Sequence, residues 1–157
     1  MFFQDELLEN MAFDGYNLGA ACKTIGSWNL ETVLHTGLDF FVLLFLASGL
    51  LGLRSQTNYN VGNTYEDVLA RYRVLWGQKA VSLDLGAMIE DGLLAENPEL
   101  LKRVLVYGAL NLVTRNQFFA ILDYFCDPSR PVGLPENSQV IIGLGSGGGT
   151  GLDCKGV

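Results

Sequence analysis

The sequence predicts an α/β fold: a partial, doubly wound parallel sheet with flanking helices, the amino-terminal half of the fold missing. Three observations carry this expectation. Short apolar runs recur at 39–45, 79–85 and 139–143, each the length of a strand. Between them lie longer stretches whose apolar residues return every three to four positions, the spacing of helices. The first run, DFFVLLF, is continuously apolar after Asp39, which suits a parallel strand covered on both faces. Alternating strand and helix then implies parallel strands joined by crossovers.

Each element follows from local chemistry. The segment 10–35 is helical in character, with Leu18, Cys22, Ile25, Leu30, Val33 and Leu34 at amphipathic spacing and His35 an ordinary residue at its end. After the strand at 39–45, Gly49, Gly52 and Ser55 mark a loop. Helical spacing returns over 57–76 until Gly77 stops it. KAVSLDL at 79–85 is a second strand, with a turn at Gly86. Helical segments occupy 93–108, and Asn97-Pro98 starts one of them, because a proline at the first helical position sacrifices no hydrogen bond. Another helix spans 114–126, where Thr114 and Gln117 have the capping-box spacing. Two prolines and a glycine make 127–133 a loop, and QVIIG at 139–143 is the third strand. Residues 1–144 therefore form one domain portion, and the Gly-rich stretch 145–157 is a flexible tail by composition. A three-stranded sheet leaves its outer edges exposed.

Composition narrows the function. The 157 residues are 49% hydrophobic, enough for a real core in one domain. A net charge of −7 with scattered basic residues excludes a nucleic-acid surface, which needs clustered Lys and Arg; Lys102-Arg103 reads as a solvated helix face. Cys22, Cys126 and Cys154 are an odd, unpaired set, as expected of reduced thiols in the cytoplasm. With one histidine and no CxxC, no metal site is expected. The longest uncharged run, 40–53, has 14 residues, shorter than the ~20 a membrane-spanning helix needs. It is read as core, no membrane partner is expected, and no signal peptide is visible.

The chemistry-bearing residues are Tyr59 and Asn63, four apart on one helical face. They follow a strand and a Gly-bearing loop, which puts them at the strand's carboxyl end, where doubly wound sheets keep their ligands. On spacing alone, YxxxN also fits a helix start with incidental polar residues. The surroundings add more. ENMAF at 9–13, KTIGSWNL at 23–30, LDFF at 38–41, SGLLG at 48–52, Gln56, NYNVGN at 58–63, VSLDLG at 81–86 and SQVIIGL at 138–144 form a set. Together they resemble the ketoreductase domain of fungal highly reducing polyketide synthases, a branch of the short-chain dehydrogenase/reductases, from the first residues to about Leu144.

That resemblance implies a Rossmann-like fold and a family reaction, the reduction of a β-ketoacyl thioester by NADPH in secondary metabolism. It implies that Tyr59 is the proton donor to the ketone oxygen, that Lys23 lowers the tyrosine pKa, and that Asn63 holds a water and backbone network. A phenol with pKa near ~10 needs such a neighbouring cation to exchange protons near neutrality. It also implies that Tyr59, Lys23 and Gly86 contact the cofactor. The partners implied are an acyl-carrier-bound β-ketoacyl substrate and the remaining polyketide synthase domains, or a missing amino-terminal half.

Two departures stand against activity of the chain alone. The family's serine lies 13 positions before the tyrosine, and 59 − 13 = 46 is Leu46, with Phe45 beside it; Ser48 comes two residues too late. Losing one such hydrogen-bond donor commonly costs ~10²–10³ in rate. The family's Gly-rich dinucleotide fingerprint lies upstream of the matched region. The tail does contain GxGxxG, as Gly143, Gly145 and Gly148, but only nine residues follow, too few for the required helix. The expected function is thus a ketoreductase fragment, inactive alone. The alternative is a non-catalytic structural or interaction remnant, and a membrane-associated role for 40–53 ranks last.

Overall fold

The computed structural model of the chain describes residues 6–34, 36–51, 55–106 and 110–145. His35, Gly52, Gly108 and residues 146–157, with Gly148 and Cys154, lie outside the described residues. Among the described residues the elements run α1 (Phe13–Leu34), β1 (Val42–Leu46), α2 (Ser48–Leu51), α3 (Thr57–Leu75), β2 (Val81–Leu85), β3 (Ala87–Met88), α4 (Leu93–Glu96), α5 (Pro98–Val106), β4 (Leu112–Val113), α6 (Arg115–Phe125), a 3-10 turn (Pro135–Asn137) and β5 (Gln139–Ile142). No helix among the described residues is long and apolar enough to cross a membrane.

The main sheet is parallel, in the order β1-β2-β5. Its register pairs Val42 with Val81 and Leu46 with Leu85 on one side of β2, and Ser82 with Gln139 and Leu85 with Ile142 on the other. As the middle strand, β2 is buried at all five positions. Its alternation sends Val81, Leu83 and Leu85 to one face, where Phe118, Ile121, Leu122 and Phe125 of α6 cover them. Ser82 and Asp84 point to the other face. On that side Phe41, Leu43 and Phe45 pack with Leu69 and Ala70 of α3. The layers are therefore α1 and α3, then the sheet, then α6.

Several local signals act as the sequence requires. Thr114 accepts from the Gln117 backbone N–H while the Gln117 side chain accepts from the Thr114 N–H, closing the capping box that starts α6. Pro98 opens α5, and the Asn97 side chain accepts from the Leu100 N–H. Gly77 ends α3 with φ 71°, a left-handed conformation that favours glycine.

Three expectations are corrected. The segment after β1 was expected to be loop throughout, but Ser48–Leu51 forms one helical turn. A second, two-stranded parallel sheet, β3 with β4, joins segments without strand-like periodicity. The third concerns α1. Its apolar stripe, Leu18, Cys22, Ile25, Leu30, Val33 and Leu34, faces outward, and the buried residues are Ala20, Ser27 and Glu31. Periodicity marks a helical face but not the side to which it turns. The polar face is drawn inward here because α3 supplies its partners. Glu31 pairs with Arg73, which is fully buried and lies over the Phe41 ring at 4.3 Å. Such a pair tolerates burial because each charge is matched.

Candidate active site

The site lies where β1 ends and α3 begins. Ser55 turns the chain with φ 68°, α3 starts at Thr57, and Tyr59 falls in its first turn. Asn63 is one turn further on and fully buried. Its Nδ2 donates to the Leu46 carbonyl at 3.3 Å, tying the helix to the strand end. The Tyr59 hydroxyl interacts with the Leu46 backbone and with the Asn63 side chain. Burial raises the Tyr59 pKa above its usual value; the Leu46 backbone opposes this, the Glu66 charge adds to it, and Asn63 and Cys22 contribute smaller effects of opposite sign.

Lys23 reaches this place from α1. Its Nζ lies 5.7 Å from the Tyr59 ring centroid, 5.0 Å from that of Phe45, and 3.5 Å from the Leu44 carbonyl. Its shortest contact is with Glu66 Oε2, at 2.5 Å. The approach depends on glycine. A Cβ on Gly62 would sit 2.9 Å from the Lys23 Cβ, and one on Gly19 would sit 2.3 Å from Asn58 Nδ2. Both helices need these bare positions to come so close.

Lys23, Tyr59 and Asn63, named from the sequence, are thus brought together at the carboxyl end of β1. Leu46 meets them through its backbone, while its side chain packs on the Ala47–Leu110 cluster. The side chain beneath the Lys23 amine is Phe45, part of the core under α3. Gly86 lies on the same carboxyl edge of the sheet, but its Cα is walled by backbone: a Cβ there would meet the Asn111 oxygen at 2.4 Å and the Gly143 oxygen at 2.9 Å. Its N–H donates to the Ile142 carbonyl at 2.6 Å. Gly143, the first glycine of the tail motif, turns with φ 75° against Gly86, Asn111 and Val113.

Sequence reasoning missed the carboxylates around this set. Glu66 and Asp67 on α3 and Asp84 on β2 all have raised pKa values, each chiefly through burial. Asp67 is pushed up to about 6, first by burial, with the neighbouring Ser82 hydroxyl holding it down and the Asp84 and Glu66 charges pushing it further up. Asp84 accepts from Gln139 Nε2 at 2.8 Å. Two signals pointed here: Glu66 is seven residues after Tyr59 and shares its helical face, and VSLDL alternates polar with apolar. The described residues hold no group of His, Cys, Asp and Glu placed to bind a metal.

The family model described as the KR domain matches residues 1–90. The chain is 40% identical over 152 residues to the highly reducing polyketide synthase 40 of Fusarium mangiferae, covering 92% of this chain and 6% of that protein. It is 37% identical over 144 residues to the reducing polyketide synthase pksF of Alternaria solani, with the same coverage. The chain therefore spans about 6% of the length of these curated relatives. Among solved structures, the ketoreductase from the first module of phoslactomycin biosynthesis in Streptomyces sp. HK803 superimposes with a TM-score of 0.71 at 26% identity, covering 87% of this chain and 30% of that one. An A1-type ketoreductase shares the fold at 21% identity, with a TM-score of 0.76 over 92% of this chain and 29% of its own.

Proposed function

We propose a function from the premise that the chain belongs to the KR domain family. The chain is read as the carboxyl-terminal part of a polyketide synthase ketoreductase domain, whose reaction is reduction of a β-ketoacyl thioester to the β-hydroxyacyl thioester. One observation carries the reading: Lys23, Tyr59 and Asn63, from two helices, meet at the carboxyl end of a parallel strand. In this reading Tyr59 donates a proton to the ketone oxygen, Asn63 fixes the start of α3 to the strand end, and Lys23 supplies positive charge beside the phenol. NADPH, when bound, supplies the hydride. Tyr59 and Lys23 would hold its reacting end, with Gly86 a further contact from the same carboxyl edge of the sheet, where only a residue without a Cβ fits against the Asn111 and Gly143 backbone. The substrate would arrive on an acyl carrier, with the other polyketide synthase domains as partners, in the cytoplasm.

Leu46 favours a second reading, a non-catalytic remnant. If it stands at the family's serine, a bound ketone has one strong donor, Tyr59, where the family supplies two. The test is to supply the amino-terminal portion of a related ketoreductase and assay β-ketoacyl thioester reduction. Leu46→Ser should raise the rate about 10²-fold or more, and Tyr59→Phe should abolish it. Full activity with Leu46 in place, or no gain from serine while Tyr59→Phe still abolishes activity, overturns the assignment of position 46. Absence of reduction in every variant favours the remnant.

A further inference from the structure

We propose that Glu66 is a positioning residue that captures the Lys23 ammonium and withholds its positive charge from the Tyr59 phenol. Helical geometry places the three α3 groups in a row: Tyr59, Asn63 and Glu66 follow at i, i+4 and i+7 on one face, beneath α1. Lys23 therefore has a choice of neighbours. It sits 2.5 Å from Glu66 Oε2 but 5.7 Å from the Tyr59 ring centroid. Only 13% of the Lys23 side chain and 9% of that of Glu66 are exposed, so little solvent screens the pair. Cation and carboxylate then present nearly no net charge to the phenol, and a proton-handling tyrosine loses the field that would stabilise its phenolate. The Glu66 charge indeed acts on Tyr59 in the direction that keeps the phenol protonated.

The charged and titratable groups facing this centre come from every packed element. Cys22 and Lys23 approach from α1, and Glu66 and Asp67 lie on α3. Asp84 approaches from β2, and β1 contributes the backbone of Leu44 and Leu46 and the uncharged Phe45 ring. Lys23 brings a cation to 5.7 Å from the centroid of the Tyr59 ring. Its partner therefore decides the balance.

The inference rests on reading Tyr59 and Lys23 as a proton-handling pair, but its test reads the phenol directly, so a chain that reduces nothing still answers it. Phenolate absorbance would be titrated in the full chain, with the Tyr59→Phe chain subtracted to isolate Tyr59. In Glu66→Gln, Tyr59 should ionise at lower pH than in the native chain, while Glu66→Asp, which keeps the charge, should stay near the native curve. Glu66→Met serves the same purpose if the glutamine variant fails to fold. If neither neutral variant folds, tyrosine labelled with 13C at Cζ in the native chain keeps the question open to measurement: the Tyr59 resonance should show a second inflection as Glu66 protonates in acid. A folded neutral variant with an unmoved Tyr59 titration, or a native chain lacking that inflection, overturns the proposal. The pair would then only fasten α1 to α3, a role that moves the melting temperature and not the phenol.

Discussion

The two faces of β2 are equally buried and chemically opposite. Toward α6, Val81, Leu83 and Leu85 meet phenylalanines, an isoleucine and a leucine. Toward α3, Ser82 and Asp84 meet Asp67, Gln139 and, beyond them, the Lys23–Glu66 pair. The apolar face stabilises by removing hydrocarbon from water. The polar face works against stability, since each of its carboxylates must either ionise in a poor dielectric or hold a proton above its ordinary range. A strand buried throughout thus has one side that holds the domain together and one side that borders the chemistry.

The largest way to break this contrast is on the apolar side. Leu83 is fully buried, so Leu83→Ala should destabilise the chain by about 2–5 kcal/mol, depending on how far α6 collapses into the space. Chemical denaturation followed by circular dichroism measures it, and a loss below about 1 kcal/mol would mean that α6 is not seated on β2.

On the polar side the expected sign reverses. Asp67 has an ordinary pKa of 3.8 and is pushed up to about 6 in the folded chain. Between those values the folded state binds more protons than the unfolded one, so stability falls as pH rises through the window. The penalty is absent below the lower value and complete above the upper one, reaching about 3 kcal/mol at most. Glu66 and Asp84, also raised, tilt the curve the same way, while the lowered and exposed Asp91 and Asp127 tilt it weakly in the opposite sense. Asp67→Asn should flatten the slope and stabilise the chain at pH 8 by about 1–3 kcal/mol. Denaturation midpoints across pH 4–8 for both chains would show it; parallel curves would remove Asp67 as the cause.

The smallest effect sharpens the comparison from its margin. Thr114→Ala removes the cap of α6 without touching its apolar face and should cost about 1 kcal/mol. Hydrogen exchange confined to the first turn of α6 is the expected signature.

What the sequence discloses follows the same division. The apolar run before Leu46, the capping residues of α6 and the alternation in VSLDL each encode an element within a few adjacent positions. The β3–β4 pair does not: two residues from each segment are too short for a periodic signal, and only the approach of Asn111 to Gly86 and Gly143 aligns them. The outward turn of the α1 apolar stripe is equally non-local, because Glu31 and Lys23 go inward only where Arg73 and Glu66 await them. Tyr59 and Asn63 were legible as a spacing on one helix. Lys23 entered through resemblance, since it stands on another element, and its pairing with Glu66 needed both helices in place.

The bare positions between α1 and α3 have a mechanical consequence. Gly19 and Gly62 set the gap of a joint through what they lack, and Lys23 and Asn58 occupy the space so released. A methyl group at either point would act as a shim, shifting the amine relative to the phenol while leaving every functional group in the chain. The placement of the charge is in this sense a tolerance of the scaffold, fixed by clearance between two rods and separable from the identity of the groups that use it.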